Sequence, residues 1–373
     1  MSGTFWPVSI RCRAVDWSSP MQELLEKIYR QDLHAPGFVE RRFDMPQGSF
    51  TLSGLPLSGK TALIKHHLLQ RPKSSYLYVD CSDIRIEAAA FNAAIASFCR
   101  EHAIDTLVLD NYRETFARPS VERLILVGRT TQGFGLPVRR LHPLDFEEFL
   151  AFERRYDEGA LNDFLQLGGF PAMHRTPSEE RHLLLQRTFL SALGENGFAL
   201  LHAAAKVHTQ KVSPYMLYQR LKTERKISKD MLYRTFERMV QEGYLHTVEK
   251  FGYPRATKKL YLCDIALKNA LVFKKHFGRL FESMVLQELI KRSNHVTYAE
   301  KIDFYLPKDN RVVLCMPFGT KELLFKKIES AEAFLLTHAV RRVEVVTMSS
   351  ESMLHHPFVE AEMIPFSQWA LGQ

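Results

Sequence analysis

The sequence is poor in cysteine and has no long apolar run. Its five cysteines, Cys12, Cys81, Cys99, Cys263 and Cys315, are scattered, odd in number and without C-x-x-C spacing. That argues against a disulfide framework and against a cysteine zinc site, and leads us to expect reduced thiols in a cytoplasmic protein. No uncharged stretch approaches the ~18 residues of a membrane span, and no basic-then-apolar leader opens the sequence, so no membrane partner is expected. What is present is an ordinary globular balance, 46% hydrophobic and 25% charged over 373 residues, enough for two or three domains. The formal net charge of +8 is unevenly placed: residues 201–280 carry 17 Lys and Arg against 6 Asp and Glu. The basic character therefore belongs to one segment, where affinity for polyanions is expected.

One stretch carries recognisable chemistry. Phe50-Thr51-Leu52-Ser53 is a short apolar strand, and Gly54-Leu55-Pro56-Leu57-Ser58-Gly59-Lys60-Thr61 meets the pattern G-x-x-x-x-G-K-[ST] in full. In such a loop the backbone N–H groups and a helix N-terminus face an anion together. Gly54, Leu57, Ser58, Gly59, Lys60, Thr61 and Ala62 are expected to contact ATP. Lys60 would neutralise the β and γ phosphates, and Thr61 would hold Mg2+. The alternative, a Gly-flanked turn capping an ordinary helix, leaves the lysine and threonine together unexplained.

Further along, residues 75–80 read as a second strand, 86–102 as an alanine-rich helix, and 106–110 as a third strand ending in Asp110. That aspartate is the expected second Mg2+ ligand; the alternative is a turn cap. Residues 123–128 form the next strand, after which Thr130, with Arg129 second, is the candidate sensor of the terminal phosphate. Alternating β and α elements with polar strand ends predict a doubly wound parallel sheet in an α/β fold. Upstream, residues 20–29 present a helical apolar stripe. Arg41 and Arg42 are read as solvated, the alternative being approach to the nucleotide.

The succession of Gly54 to Thr61, Leu109-Asp110-Asn111, Leu126-Val127-Gly128, the 138–150 stretch containing Pro143-Leu144-Asp145-Phe146-Glu147-Glu148-Phe149, and Gly168-Gly169-Phe170-Pro171 resembles a widespread prokaryotic group of AAA-type P-loop ATPases. Members carry a winged helix and a C-terminal PD-(D/E)XK nuclease-like domain. The resemblance implies three segments: 1–187, 188–264 and 265–373. It implies phosphate and Mg2+ roles for Gly59, Lys60, Thr61 and Asp110, and makes Arg139 or Arg140 an arginine acting between subunits of a homo-oligomer. The family has Asp-Glu where this sequence has Asp110-Asn111, and asparagine cannot accept a proton from water. Glu114, expected one helical turn away, is the possible substitute.

Residues 188–262 read as a helix-turn-helix with a wing. Ser213-Pro214 and Ser228 start two helices, and a hairpin follows with a basic tip. Lys229, Tyr233, Arg234, Arg238, Lys250, Arg255, Lys258 and Lys259 are the candidate DNA contacts. The alternative is a module for packing or for a protein partner. In the last third, residues 277–289 resemble the opening helix of the nuclease-like domain, and Asp303 its first metal carboxylate, which with Glu282 makes only a weak metal pair. The acidic-x-Lys strand that should follow reads Val312-Val313-Leu314-Cys315-Met316, so nuclease activity is not expected. Its remaining strand is expected at 342–347. The readings that compete are an ATPase switching a DNA-binding unit, a nucleotide-gated scaffold that hydrolyses little, and, least favoured, an ATP-dependent nuclease.

Overall fold

The computed structural model describes residues 19–35, 37–129, 134–157, 159–274, 276–293 and 295–372. The first helix, α1 (Pro20–Arg30), starts at a capping box between Ser19 and Gln22 with proline at its first position, the arrangement that satisfies orphan N–H groups most economically. Then come β1 (Phe50–Gly54), α2 (Lys60–Leu69), β2 (Tyr76–Asp80), α3 (Ala88–Glu101), β3 (Thr106–Asp110), β4 (Arg123–Gly128) and β5 (Val138–Leu141). The five strands lie in the order β2-β3-β4-β1-β5, every neighbouring pair parallel. The central strands read as continuous apolar runs because both faces are covered. Leu77, Val79, Leu107 and Leu109 pack toward α1 and α3, while Phe50, Leu52, Val108 and Ile125 pack toward α2. This α/β arrangement is consistent with a P-loop fold, and it brings the carboxyl ends of β1, β2 and β3 to one edge of the sheet.

One expectation fails beside that edge. No helix follows β3 directly: Asn111 takes a left-handed backbone (φ 52°) and the chain turns. Glu114 is therefore on an exposed turn rather than one helical turn from Asp110.

The chain continues through α4 (Phe146–Glu153), α5 (Ala160–Leu167), α6 (Pro171–Arg175) and α7 (Arg181–Lys206), the last broken at Gly194, whose φ is 68°. Next are α8 (Pro214–Glu224) and α9 (Lys229–Gln241), capped by Ser213 and Ser228 as their sequences suggest. The hairpin β6 (Leu245–Lys250) and β7 (Lys259–Leu262) follows. Helices α7, α8 and α9 share a core through Leu201, Leu217, Leu221, Leu232 and Met239.

The last segment runs α10 (Ile265–Leu271), α11 (Phe277–Arg292), β8 (Thr297–Ala299), β9 (Ile302–Leu306), β10 (Arg311–Cys315), α12 (Lys321–Thr337), β11 (Arg342–Thr347), β12 (Ser352–His356), β13 (Val359–Pro365) and α13 (Phe366–Leu371). Two strands beyond β11 thus extend a sheet that the sequence reading ended there. The hairpin is not free-standing either. Strand β6 pairs in parallel with β8, and the whole forms one sheet of eight strands, β12-β13-β11-β10-β9-β8-β6-β7. A cluster of rings, Phe146, Phe149, Phe164, Phe281 and Phe366, ties α4 and α5 to α11 and α13. Each buried phenylalanine contributes about 1.5–3 kcal/mol. Among the described residues no helix is long and apolar enough to cross a membrane.

Candidate functional site

The loop after β1 is shaped by its glycines. A Cβ at Gly54 would lie 2.6 Å from the Leu141 carbonyl, so nothing larger fits where β1 and β5 converge. Gly59 stands at φ 92°, which disfavours any residue with a side chain. It precedes α2 without any side-chain cap, leaving the first N–H groups of that helix for an anion. Among the described residues the buried Ser58 hydroxyl has no hydrogen-bond partner. These are the features of a cradle for phosphate.

Lys60 reaches back over the loop, its Nζ donating to the carbonyls of Gly54 at 2.9 Å and Leu55 at 2.7 Å. Burial pushes its ammonium down to about 8, Asp110 working against the fall and Arg129 adding to it. A cation held this way lacks sufficient opposing charge, which triphosphate oxygens would supply. Thr61 Oγ1 donates to Asp110 Oδ2 at 2.7 Å, and the Tyr78 hydroxyl donates to the same oxygen at 2.7 Å. A hydroxyl and a carboxylate oxygen side by side suit Mg2+, which takes one or two protein oxygens and completes its shell with phosphate and water. Among the described residues no group of three or more His, Cys, Asp or Glu gathers as a metal cage. The paired oxygens of Thr61 and Asp110 fit a metal brought in with nucleotide.

Asn111 does not face open solvent with both ends free. Its Nδ2 donates to Asp80 Oδ1 at 2.9 Å, and its backbone N–H to Asp110 Oδ1 at 2.8 Å. Asp80, in register with Asp110 at the neighbouring strand end, is a second carboxylate that the sequence reading did not single out. Arg129 is exposed, donates to the Ala192 carbonyl on α7 at 2.7 Å, and lies within electrostatic reach of Lys60, Glu242 and Tyr244. Thr130 lies outside the described residues.

A cleft of about 600 Å3 opens from the loop. Its walls include Phe38, Gly59, Lys60, Thr61, Phe152 and Pro171. Phe38 stacks on His66, ring centres 4.1 Å apart. Pro171 stands over the loop, its Cγ 3.6 Å from where a Cβ of Gly59 would be. The turn before it hangs from Asp264 at the end of the hairpin, whose Oδ2 accepts the Gly169 N–H at 2.8 Å.

Arg41 overturns its expectation. It is 9% exposed and donates to Glu148 Oε1 at 2.9 Å, to the Ser58 carbonyl at 2.9 Å and to the His142 carbonyl at 2.8 Å. Arg42, its neighbour in sequence, pairs with Glu147 at the surface. Only Arg42 behaves as a solvated residue. Of the two arginines on β5, Arg139 is exposed, while Arg140 is partly buried and bonded to the Gln241 carbonyl at the end of α9.

The DNA candidates divide. Lys229, Arg234 and Arg238 on α9 and Arg255 at the hairpin tip are exposed. Tyr233 is half-buried, with Lys229 over its ring. Lys250 pairs with Glu300 at 3.5 Å and Lys258 with Glu249. Lys259 is not at a tip: its side chain is 13% exposed and its Nζ is 2.8 Å from Glu282. Tyr261 donates to the same Glu282 oxygen at 2.6 Å. Alternation along β7 puts Lys259 and Tyr261 on one buried face, a signal the sequence carried. Nearby, Lys327 sits 3.4 Å from Asp303, which also accepts the Cys315 N–H at 3.0 Å. Glu282 and Asp303 are thus each paired with a lysine.

No family model matches the chain. It is 23% identical over 279 aligned residues to an uncharacterized protein of Methanocaldococcus jannaschii, a match covering 61% of this chain and 62% of that protein. The chain thus spans less than two thirds of that curated relative. Among solved structures it is similar to the Walker-type ATPase of Pyrococcus abyssi, with TM-score 0.41 and 13% identity over 59% of this chain and 90% of that one. The Aeropyrum pernix Orc1 protein, solved in complex with DNA, gives TM-score 0.28 and 15% identity over 68% of this chain and 92% of that one.

Proposed function

We propose that the chain binds ATP with Mg2+ and hydrolyses it slowly, as an AAA-type P-loop ATPase whose nucleotide state governs a basic unit acting on DNA. The observation that carries this reading is the convergence of Lys60, Thr61 and Asp110 on one loop whose glycines admit no side chain. Bound Mg2+ would offset phosphate charge; Thr61 and Asp110 would hold it. Lys60 neutralises the phosphates, and Arg129, within electrostatic reach of Lys60 and bonded to α7, supports a role in sensing the terminal one.

Asn111 favours the slow form of this reading. Its amide can orient water but cannot take a proton, and it is already engaged with Asp80. A nucleotide-gated scaffold with little turnover is therefore the second reading. Glu114, on its exposed turn, has no geometric support as a replacement base.

The succession α7–α9 plus hairpin supports a winged helix at 188–264, and α11-β8-β9-β10-α12-β11 supports a nuclease-like segment at 265–373. DNA contact through Lys229, Tyr233, Arg234, Arg238 and Arg255 is supported by their exposure or stacking on α9 and the tip. Lys250, Lys258 and Lys259 have acidic partners and contribute less. Nuclease chemistry is disfavoured because β10 carries neither the acid nor the lysine of the acidic-x-Lys pattern. Exposed Arg139 on the edge strand β5 supports a role between subunits of a homo-oligomer. The test is ATP binding and turnover, with and without DNA, for wild type and Lys60→Ala. Binding in wild type and its loss in the variant is the expected result. A wild type that does not bind ATP overturns the reading.

A further inference from the structure

The buried ion network beneath the loop joins two parts of the chain that local sequence does not connect. Arg41 precedes β1 and lies between two clefts, the one beside Lys60 and another of about 530 Å3 bordered by β5, α4 and α11. All three nitrogens of its guanidinium donate. Nε donates to Glu148 Oε1 at 2.9 Å, Nη1 to the Ser58 carbonyl at 2.9 Å, and Nη2 to the His142 carbonyl at 2.8 Å and Glu148 Oε2 at 3.3 Å. Glu148, 4% exposed, also accepts the backbone N–H groups of Arg42 and Asp145. On its far side stands Lys291 of α11, 2.9 Å from Glu148 and 3.2 Å from Asp145.

The bond to Ser58 has a consequence for phosphate. A peptide unit is planar and trans, so its C=O and the next N–H point in opposite directions. With the Ser58 carbonyl drawn to Arg41, the Gly59 N–H is turned to the side away from Arg41, where a phosphate would meet it. Glycine at 59 permits the required φ of 92° but does not by itself select it. Something outside the loop must hold that peptide, and Arg41 is the group in place to do so.

We infer that Arg41 is a positioning residue for the phosphate loop, and that Lys291, by holding Glu148, makes the loop's grip on nucleotide depend on the docking of α11. This deepens the ATP-binding reading above and rests on it. Glu148 is suited to the intermediate place. Burial alone would raise its carboxyl, but Lys291 and Arg41 bring it down to about 2, so it stays charged and keeps both cations. Removing Lys291 leaves a buried carboxylate with one cation fewer, and the pair it makes with Arg41 must readjust. By linkage, nucleotide that tightens the Ser58 to Arg41 contact strengthens the seating of α11 in return.

The experiment measures dissociation constants of Mg2+·ATPγS for the full chain and for Arg41→Gln, Arg41→Lys, Lys291→Met and the double variant Arg41→Gln/Lys291→Met, well below their melting temperatures. Loss of a charge-assisted bond to the loop predicts about tenfold weaker binding for Arg41→Gln. Arg41→Lys, which keeps the charge and one donor, should recover part of it, and Lys291→Met should lose about threefold. The double variant should be no weaker than Arg41→Gln alone, because both act along one chain of contacts. A merely structural ion network would lower melting temperature and leave the constant of the folded protein within twofold of wild type; that result overturns the inference. Additive losses in the double variant overturn the part assigned to Lys291. If Arg41→Gln does not fold, Arg41→Lys and Lys291→Met decide by the same criterion. Wild type bound and Lys60→Ala unbound shows that the ATP-binding reading stands, so failure of the Arg41 arm is then its own.

Discussion

The Thr61 hydroxyl and the Asp110 carboxylate meet at 2.7 Å across 49 residues of chain. The contact exists because α2 starts at the end of β1 while β3 ends two strands away in the same parallel sheet.

That pairing predicts how metal enters the affinity. Asp110→Asn should weaken ATP binding in Mg2+ by about tenfold or more, the scale of one charge-assisted contact, and change it little in EDTA. Titrations with and without the metal check this; equal losses in both would remove Asp110 from the metal site.

Asn111→Glu should raise turnover and lower stability together. A carboxylate at this position can accept a proton from water, an effect typically of ~100-fold or more. Yet it loses the bond to Asp80 and sets a second negative charge beside it, at a left-handed backbone position (φ 52°) that asparagine tolerates better. Steady-state ATPase assays and thermal melts read the two effects. Unchanged turnover would show that Asn111 is not what limits the rate.

Glu288 gives a prediction in pH. Burial pushes its carboxyl up to about 7, with Asp145 adding to the rise, although it accepts the Phe146 N–H at 2.8 Å. A carboxyl whose folded value lies above its ordinary one of 4.5 gives stability that is full below pH 4.5 and is lost as pH rises through 7. Glu288→Gln, neutral throughout and able to accept the same N–H, should therefore nearly match wild type at pH 4 and exceed it by about 3 kcal/mol near pH 8. Urea unfolding at the two pH values measures the difference. A constant offset between the proteins would contradict it.

For DNA, replacing Lys229, Arg234, Arg238 and Arg255 together should weaken binding by about 100-fold at low salt and flatten its dependence on salt. Lys259→Met should instead lower the melting temperature by leaving Glu282 without its lysine, with DNA affinity within twofold of wild type. Fluorescence anisotropy across a salt series separates the two classes. A flat salt response in wild type would dismiss groove contact altogether.

Much of the fold was legible because its signals are local. Apolar runs marked β1 to β4 of the parallel sheet, though not the polar edge strand β5, and Ser213, Pro214 and Ser228 marked helix starts through hydrogen bonds made within three residues. The glycine-lysine-threonine loop was legible for the same reason. Arg41 was not, since its environment depends on Glu148, 107 residues away, and the adjacent Arg42 presents the same local pattern with the opposite fate. Glu114 was expected one helical turn from Asp110, but the chain turns at Asn111, whose φ is 52°. Strands β12 and β13 lacked an apolar run long enough to declare them; in β13 the buried residues Val359, Ala361 and Met363 alternate with acids.

The parallel seam between β6 and β8 also limits where this chain can be cut. Glu249 and Lys250 pair there with Thr297 and Tyr298. A fragment ending after the hairpin would carry a bare strand edge, together with the uncovered rings of Tyr261 and Phe149, and exposed edges of that kind recruit other chains. A boundary drawn near residue 264 would divide the sequence without yielding two pieces that can be handled apart. Dissecting the basic unit from its neighbour calls for point substitutions in the intact polypeptide.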